Sequence, residues 1–496
     1  MSNATKSASR PAVLGIDRGC CSADVRMDAE RGGLKREPRL LKTLDSAAPA
    51  RPLLLLLLLR IHALLACLFL LLLLLVLPRR VILDAGQDLY VSIAATLHST
   101  TTTTDDMLPA STSTLAAAGV LALSAAQPAV AASSLLYASS YGGSVTTLGL
   151  TAAGLDVLSS TRDCSPDPAW LTLDRANSVL YCTGEGLATR NGSLAAFRTS
   201  GTGSLELLHK VDTIGGPVSS VLFGDGGRGL AVAHYTGSSL SSFSVSDLGQ
   251  LQSRTWGEPL GPNTTRQDAP HPHEATVDPT GKFVLVPDLG SDLVRVMRVD
   301  PSNLGLTETS PLVAAPGSGP RHLVFLNTDD GKTFMYLVGE LDNSITAYRV
   351  KYAACSLGFD KVFVTNSFGD RAVPQSTAAE IHLSPDSRFL LVSSRSDKSF
   401  TIPSFDGSAA SIPSDTISSF TVDPATGALA LAQTFPAGGL IPRQFSINKA
   451  GDRLAVGLQA DGRVVIIERD VRTGILQRFV GSASLDVGVT TVLFDE

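Results

Sequence analysis

A short pattern recurs seven times along this chain and constrains its fold more than any other feature. A polar residue is followed by a branched aliphatic, two mostly small or polar residues, and an aromatic or aliphatic. It reads SVTTL at Ser144–Leu148, SLAAF at Ser193–Phe197, SLSSF at Ser239–Phe243 and DLVRV at Asp292–Val296. It returns as SITAY at Ser344–Tyr348, TISSF at Thr416–Phe420 and RVVII at Arg463–Ile467. Apolar positions alternate as they do in a strand, not a helix. The last positions fall 49, 46, 53, 52, 72 and 47 residues apart. A period of roughly 50 built from strands is the mark of a β-propeller.

The repeat unit is plainest around Asp292. HEATVDP (His273–Pro279) alternates, Thr280-Gly281 turns the chain, and KFVLVPDL (Lys282–Leu289) is apolar enough for a central strand. A third strand follows at Leu293–Asp300 and a weaker fourth near Leu306–Leu312. Equivalent turns give six complete blades. The seventh is split: SLLYASSYGG, SVTTLGL and Leu155–Leu158 lie near residue 133, and VTTVLF (Val489–Phe494) lies at the far end. Joining the two ends hides two bare sheet edges. The expected fold is therefore all-β, a seven-bladed propeller over 133–496 closed by its C-terminal strand. The longer spacing before Phe420 marks surface-loop insertions at Lys351–Thr377 and Ser396–Asp415.

The preceding third is not propeller. Residues 1–52 carry mixed charge without hydrophobic periodicity and read as disordered. Residues 53–80 hold a leucine run, Leu53–Leu77, of a length to anchor the chain in a membrane. Ten Lys+Arg against six acids before it favour a cytoplasmic N-terminus. Residues 81–132 are a linker containing a second signal at 107–131, with an apolar middle and an Ala129-Val130-Ala131 site like that of a secretory signal peptide. Either Met107 is the true start, or the chain is a type II membrane protein with a stalk. Both readings place the repeat domain outside the cytosol, secreted or membrane-anchored. The sequons at Asn191 and Asn263 fit N-glycosylation there, and Cys164 with Cys182 fits a disulfide.

Charge narrows the partners. Residues 133–496 hold 27 Lys+Arg and 36 Asp+Glu, a balance that argues against nucleic acid. No zinc-type Cys/His spacing, phosphate-binding glycine loop or G-x-S-x-G elbow occurs, so no cofactor or metal is called for. In a propeller, residues just before each first strand and at the end of each second strand converge on one mouth of the channel. That rule gathers His273, Arg321, Glu340, Glu380, Arg395, Arg443 and Gln444 on one rim. Such charged residues at the ends of apolar strands pair or bind ligand. Three arginines with a histidine and a glutamate suit an anion.

At these residues the chain resembles the seven-bladed lactonase propellers, which include bacterial 6-phosphogluconolactonase and fungal carboxy-cis,cis-muconate cyclase. The likeness is carried by PHPHEATVDPTGKFVLVPDLGSD, GPRHLVF with YLVGELDNSITAY, AAEIHLSPDSRFLLVSSRSD and IPRQFSINKAGDRLAVGLQ. That family's site is a His, two Arg and a Glu, and His273, Arg321, Glu340 and Arg395 fill those places by motif. The resemblance implies hydrolysis of an anionic or polyhydroxylated sugar lactone. Arg321, Arg395 and Arg443 would hold it, with Glu380 and Gln444 nearby, Glu340 would act as general base and His273 would protonate the leaving alkoxide. The alternatives are a muconate-cyclase-like lactonising reaction and a secreted binding module without turnover.

Overall fold

A computed structural model describes residues 134–371 and 373–496. The readings for 1–52, 53–80 and 81–132 lie outside the described residues. Within them the repeat becomes seven four-stranded antiparallel sheets. Blade 1 holds Ser134–Ser140, Val145–Thr151 and Gly154–Thr161, and takes Val489–Phe494 from the other end of the chain. The closing strand pairs antiparallel with Ser134–Ser140, with Leu136 opposite Phe494 and Ala138 opposite Val492. Blades 2 to 7 then begin at Pro168, Pro217, Thr276, Pro320, Thr377 and Pro442. Their first strands pack on one another around the axis, except that the first strand of blade 5 meets the second strand of blade 4, and Val489–Phe494 completes the ring between blades 7 and 2.

All seven repeated pentapeptides fall on the third strand counted outward. These strands sit between blades. Val464 and Ile466 of blade 7 pack against Leu148 of blade 1, and Val296 of blade 4 packs against Leu337 of blade 5. The core is thus a ring of seven apolar clusters, one at each blade–blade junction. The outermost strands face solvent on their far side, as in Leu205–Ile214, where half the positions are exposed and only Thr213 is buried. That exposure explains their weak apolar signature in the sequence.

Two expectations need correction. The inner strand of blade 4 shrinks to Thr276–Val277, preceded by a single bridge from Pro272 to Asp288. Pro270 and Pro272 have no N–H to give a ladder, so this segment cannot run as a full strand. The segment Lys351–Thr377 is largely not an insertion: Leu357–Asn366 is the fourth strand of blade 5. The extra length lies at Ser396–Asp415, which folds into its own hairpin, Phe400–Pro403 with Ser411–Ser414.

Candidate active site

Two backbone positions in each blade face one mouth of the channel. The first is set by a recurrent bulge. In blades 2, 3, 5 and 7 a proline opens the inner strand and the next residue drops out of the pairing register. The residues displaced are Ala169, Val218, Arg321 and Arg443, and in blade 4 His273 follows Pro272 in the same way. Bulges re-aim side chains beside functional sites. The second position ends or follows the second strand: Tyr141, Glu185, Tyr235, Glu340 and Arg395.

Together these positions surround a cavity of about 150 Å³. Tyr141, Glu185, Val218 and Tyr235 line it from blades 1 to 3. His273, Glu340, Arg395 and Arg443 line it from blades 4 to 7, and Arg266 enters from the loop before blade 4.

Glu340 is the electrostatic centre. Its Oε2 accepts from Arg321 Nε at 2.9 Å and forms an ion pair with Arg395 Nη2 at 2.8 Å, while Oε1 accepts from Arg266 Nη2 at 2.5 Å. Burial alone would raise this carboxyl, but Arg395, Arg321 and Arg266 together hold it well below the usual carboxylate range. So clamped, the carboxylate anchors three guanidinium groups.

Arg321 is buried at 1% exposure behind Glu340, with Nη1 donating to Ala379 O at 2.8 Å. It supports the clamp and is not among the cavity-lining side chains. Arg395 lines the cavity and also donates to Ala378 O at 3.1 Å, leaving its Nε without a protein partner. Arg443 reaches in over the ring of Tyr141, 5.6 Å from the centroid, and spends no guanidinium N–H on a protein acceptor among the described residues.

His273 is held between rings, edge-on to Tyr235 at 5.6 Å and to His322 at 5.1 Å. Its Nδ1 lies 3.2 Å from His322 Nε2. Burial and the charges of Arg321, His322, Arg443 and Arg395 push its pKa well below the usual value. The resting imidazole is neutral and lines the cavity.

Glu380 and Gln444 do not line the cavity. Glu380 is buried against His322, with Oε1 3.0 Å from Nδ1. Gln444 ties blades together: its Oε1 accepts from Val492 N at 2.7 Å and its Nε2 donates to Phe445 O at 2.8 Å. Both sit one residue past the bulge, which turns their side chains into the channel wall below the mouth.

Tyr141, Glu185 and Arg266 were not anticipated. Tyr141 and Glu185 obey the rule that found Glu340, applied to blades 1 and 2, where the residues carry no cationic cluster to draw notice. Arg266 lies in a loop without strand register, and no periodicity points to it. The Tyr141 hydroxyl donates to Glu185 Oε2. Burial raises the Glu185 carboxyl, partly offset by Arg443 and Tyr141. Elsewhere, Cys164 and Cys182 are joined by a disulfide in the cluster between blades 1 and 2. Asn191 and Asn263 are both exposed, Asn263 three residues before Arg266.

Fold and site define a propeller with a small arginine-rich cavity at the mouth of its channel, facing a neutral histidine. Residues 135–494 match the model of the seven-bladed β-propeller lactonases, and the chain belongs to that family. It is 30% identical over 348 residues to the "Probable 6-phosphogluconolactonase" of Arthroderma benhamiae, covering 69% of this chain and 84% of that protein. It is also 30% identical over 350 residues to the 6-phosphogluconolactonase of Formosa agariphila, covering 68% and 93%. Among solved structures, the periplasmic gluconolactonase of Pseudomonas aeruginosa superposes with a TM-score of 0.61 at 25% identity, covering 73% of this chain and 98% of that one.

Proposed function

We propose that the chain hydrolyses a sugar-derived lactone at this cavity, with His273 as the base and Arg443 and Arg395 as the oxyanion donors. The observation that carries the reading is the pairing of a neutral imidazole with unspent guanidinium donors in one small cavity. Water attacks the lactone carbonyl carbon and gives its proton to His273 Nε2. Negative charge gathers on the carbonyl oxygen, facing donors already in place, each worth about 3–4 kcal/mol by analogy with oxyanion-hole deletions. Collapse breaks the ring C–O bond, and the imidazolium returns its proton to the leaving alkoxide. Lactone plus water becomes a hydroxy acid. Acid–base help of this kind contributes about 10²–10⁴-fold.

The opposite wall suits the rest of a sugar. Tyr235 and Tyr141 offer aromatic faces, and Glu185 offers a carboxyl group for hydroxyls. The names of the Arthroderma and Formosa relatives support a sugar lactone. The disulfide supports an oxidising compartment outside the cytosol, as does the location in the Pseudomonas protein's name.

The test is acid release by the purified full chain from δ-gluconolactone and from its 6-phosphate, above the spontaneous rate. We expect turnover that His273→Gln abolishes without lowering the melting temperature. Turnover of 3-carboxymuconate alone would replace this reading by the cyclase one. Binding without turnover of any of the three would leave a binding module.

A further inference from the structure

One residue beyond the bulge, each inner strand adds a side chain to a second ring inside the channel. In three blades this residue staples its blade to the next. Ser219 Oγ accepts from Ala275 N at 3.3 Å, Glu274 Oε2 from Leu323 N at 2.8 Å, and Gln444 Oε1 from Val492 N at 2.7 Å. Blade 5 departs from this pattern. Its residue is His322, and the amide it would serve, Ile381 N, is served instead by Glu380 Oε1 of blade 6 at 3.1 Å. His322 is thereby freed to bridge two other groups. Its Nδ1 lies 3.0 Å from Glu380 Oε1 and its Nε2 lies 3.2 Å from His273 Nδ1. All three side chains are buried.

We propose that His322 and Glu380 are positioning residues, a buried relay that fixes the His273 ring with Nε2 bare toward the cavity and offsets the charge His273 gains when it takes a proton. This deepens the hydrolytic reading above and rests on it for its catalytic consequence. The direction of the bonds follows from the donors available. An ionised Glu380 only accepts, so His322 donates from Nδ1. A neutral His322 then has a lone pair at Nε2, so His273 donates from Nδ1. His273 Nε2 is left as an acceptor, and it makes no hydrogen bond within the described residues.

The protonation states agree. Burial raises Glu380, but His322, His382 and Arg321 bring its carboxyl below the usual range. Burial lowers His322, with Glu380 opposing and Arg321 and His382 adding to the effect. The groups facing the relay from other elements are Arg395, Arg443 and Tyr235 beside His273, Trp170 edge-on to His322 at 5.5 Å, and Glu274 near Glu380. Three arginines oppose a positive charge on His273, and Glu380 is the carboxylate placed to offset it through His322. Its Oε2 is buried without a hydrogen-bond partner, an arrangement that disfavours stability and leaves the carboxylate's accepting power unspent. In turnover the proton from water rests on His273 Nε2 and returns to the leaving alkoxide. His322 and Glu380 keep their bonds and exchange no atoms with substrate.

The test uses the full chain labelled with ¹⁵N at histidine, with the His273 signals assigned by their loss in His273→Gln. We expect the Nδ1–H tautomer with bare Nε2, and in Glu380→Gln a mixture of tautomers. In the same variant kcat should fall about 100-fold with KM within about twofold. The acid limb of the kcat/KM profile should move to lower pH, because His273 protonates less readily without the carboxylate. Glu380→Asp should restore part of the loss. The Nε2–H tautomer in the unaltered chain would overturn the relay, as would an unchanged tautomer and kcat in Glu380→Gln. The spectra need no substrate. A chain with the expected tautomer but no lactonase activity would sink the hydrolytic reading and leave the relay's geometry standing.

Discussion

Glu185 in blade 2 and Glu340 in blade 5 leave their blades by the same backbone step. Each follows a glycine that ends the second strand, Gly184 or Gly339, and each glycine pairs with the proline that opens the inner strand. Each amide donates at 2.8 Å to the residue before that proline, Glu185 to Asp167 O and Glu340 to Gly319 O. Both glycines are needed for close approach. A Cβ would stand 2.6 Å from Pro166 O at Gly184, and 2.8 Å from Ser318 O at Gly339. The surroundings then diverge. Three arginines grip Glu340 and drive its carboxyl down, whereas Glu185 meets a tyrosine and a more distant arginine, and burial drives it up. Two equivalent positions are pushed in opposite directions, so the cavity has one half built on a clamped carboxylate and another built on a tyrosine–carboxyl pair.

The largest test removes the clamp. Glu340→Gln leaves Arg321 and Arg395 buried without their counter-charge. Breaking a buried pair this way costs about 3–5 kcal/mol, measured by denaturant unfolding at pH 7. Activity should fall by at least about 100-fold as Arg395 and Arg266 lose their anchor. The pH dependence carries the signature. A carboxyl held low in the folded state stabilises above its unfolded pKa and loses that contribution as pH falls toward the folded value. The stability gap between the parent chain and Glu340→Gln should therefore narrow below about pH 4.5. A constant gap would break the contrast between the two halves.

Next in size is Arg443→Gln. Arg443 takes no part in the Glu340 clamp and, among the described residues, makes no protein hydrogen bond through its guanidinium. Its loss should cost about 10²–10³-fold in kcat while the melting temperature moves little. A large loss of stability with activity intact would instead make Arg443 a structural partner of Glu185.

How much of this was legible follows from where each residue sits. The third-strand pentapeptides lie between blades, so each keeps its apolar alternation, and they reveal the blade count, while VTTVLF (Val489–Phe494), a strand without neighbours at the far end, reveals the closure. His273, Arg395 and Arg443 were found because strand register carries them to the mouth. Glu380 and Gln444 were misplaced by one residue. The bulge that aims Arg443 into the cavity turns its neighbour Gln444 into the channel, and a hairpin rule without the bulge cannot separate them. Arg266 was invisible because a loop, not a strand, delivers it. The clamp on Glu340 was hidden because strand register brings its arginines to one mouth without fixing the three distances to its oxygens.

The smallest effects belong to the blade 2 half, and they run in the opposite sense. A carboxyl raised in the folded state contributes stability below its unfolded pKa and loses it as pH rises through the folded value. Glu185→Gln abolishes that loss, so the variant should be more stable than the parent at pH 7 and equal to it near pH 4. Substrate should feel the change as a few-fold rise in KM with kcat nearly unchanged, because an amide still bonds to hydroxyls. Tyr141→Phe removes the donor to Glu185 Oε2 but keeps the ring beneath Arg443. It should cost about 1 kcal/mol or less, read as a small fall in melting temperature. Its effect on KM should vanish in a Glu185→Gln background, since the two act on one hydrogen bond. If the two effects simply add, Tyr141 touches substrate directly, and the neutral half of the cavity is an aromatic platform with Glu185 as a bystander.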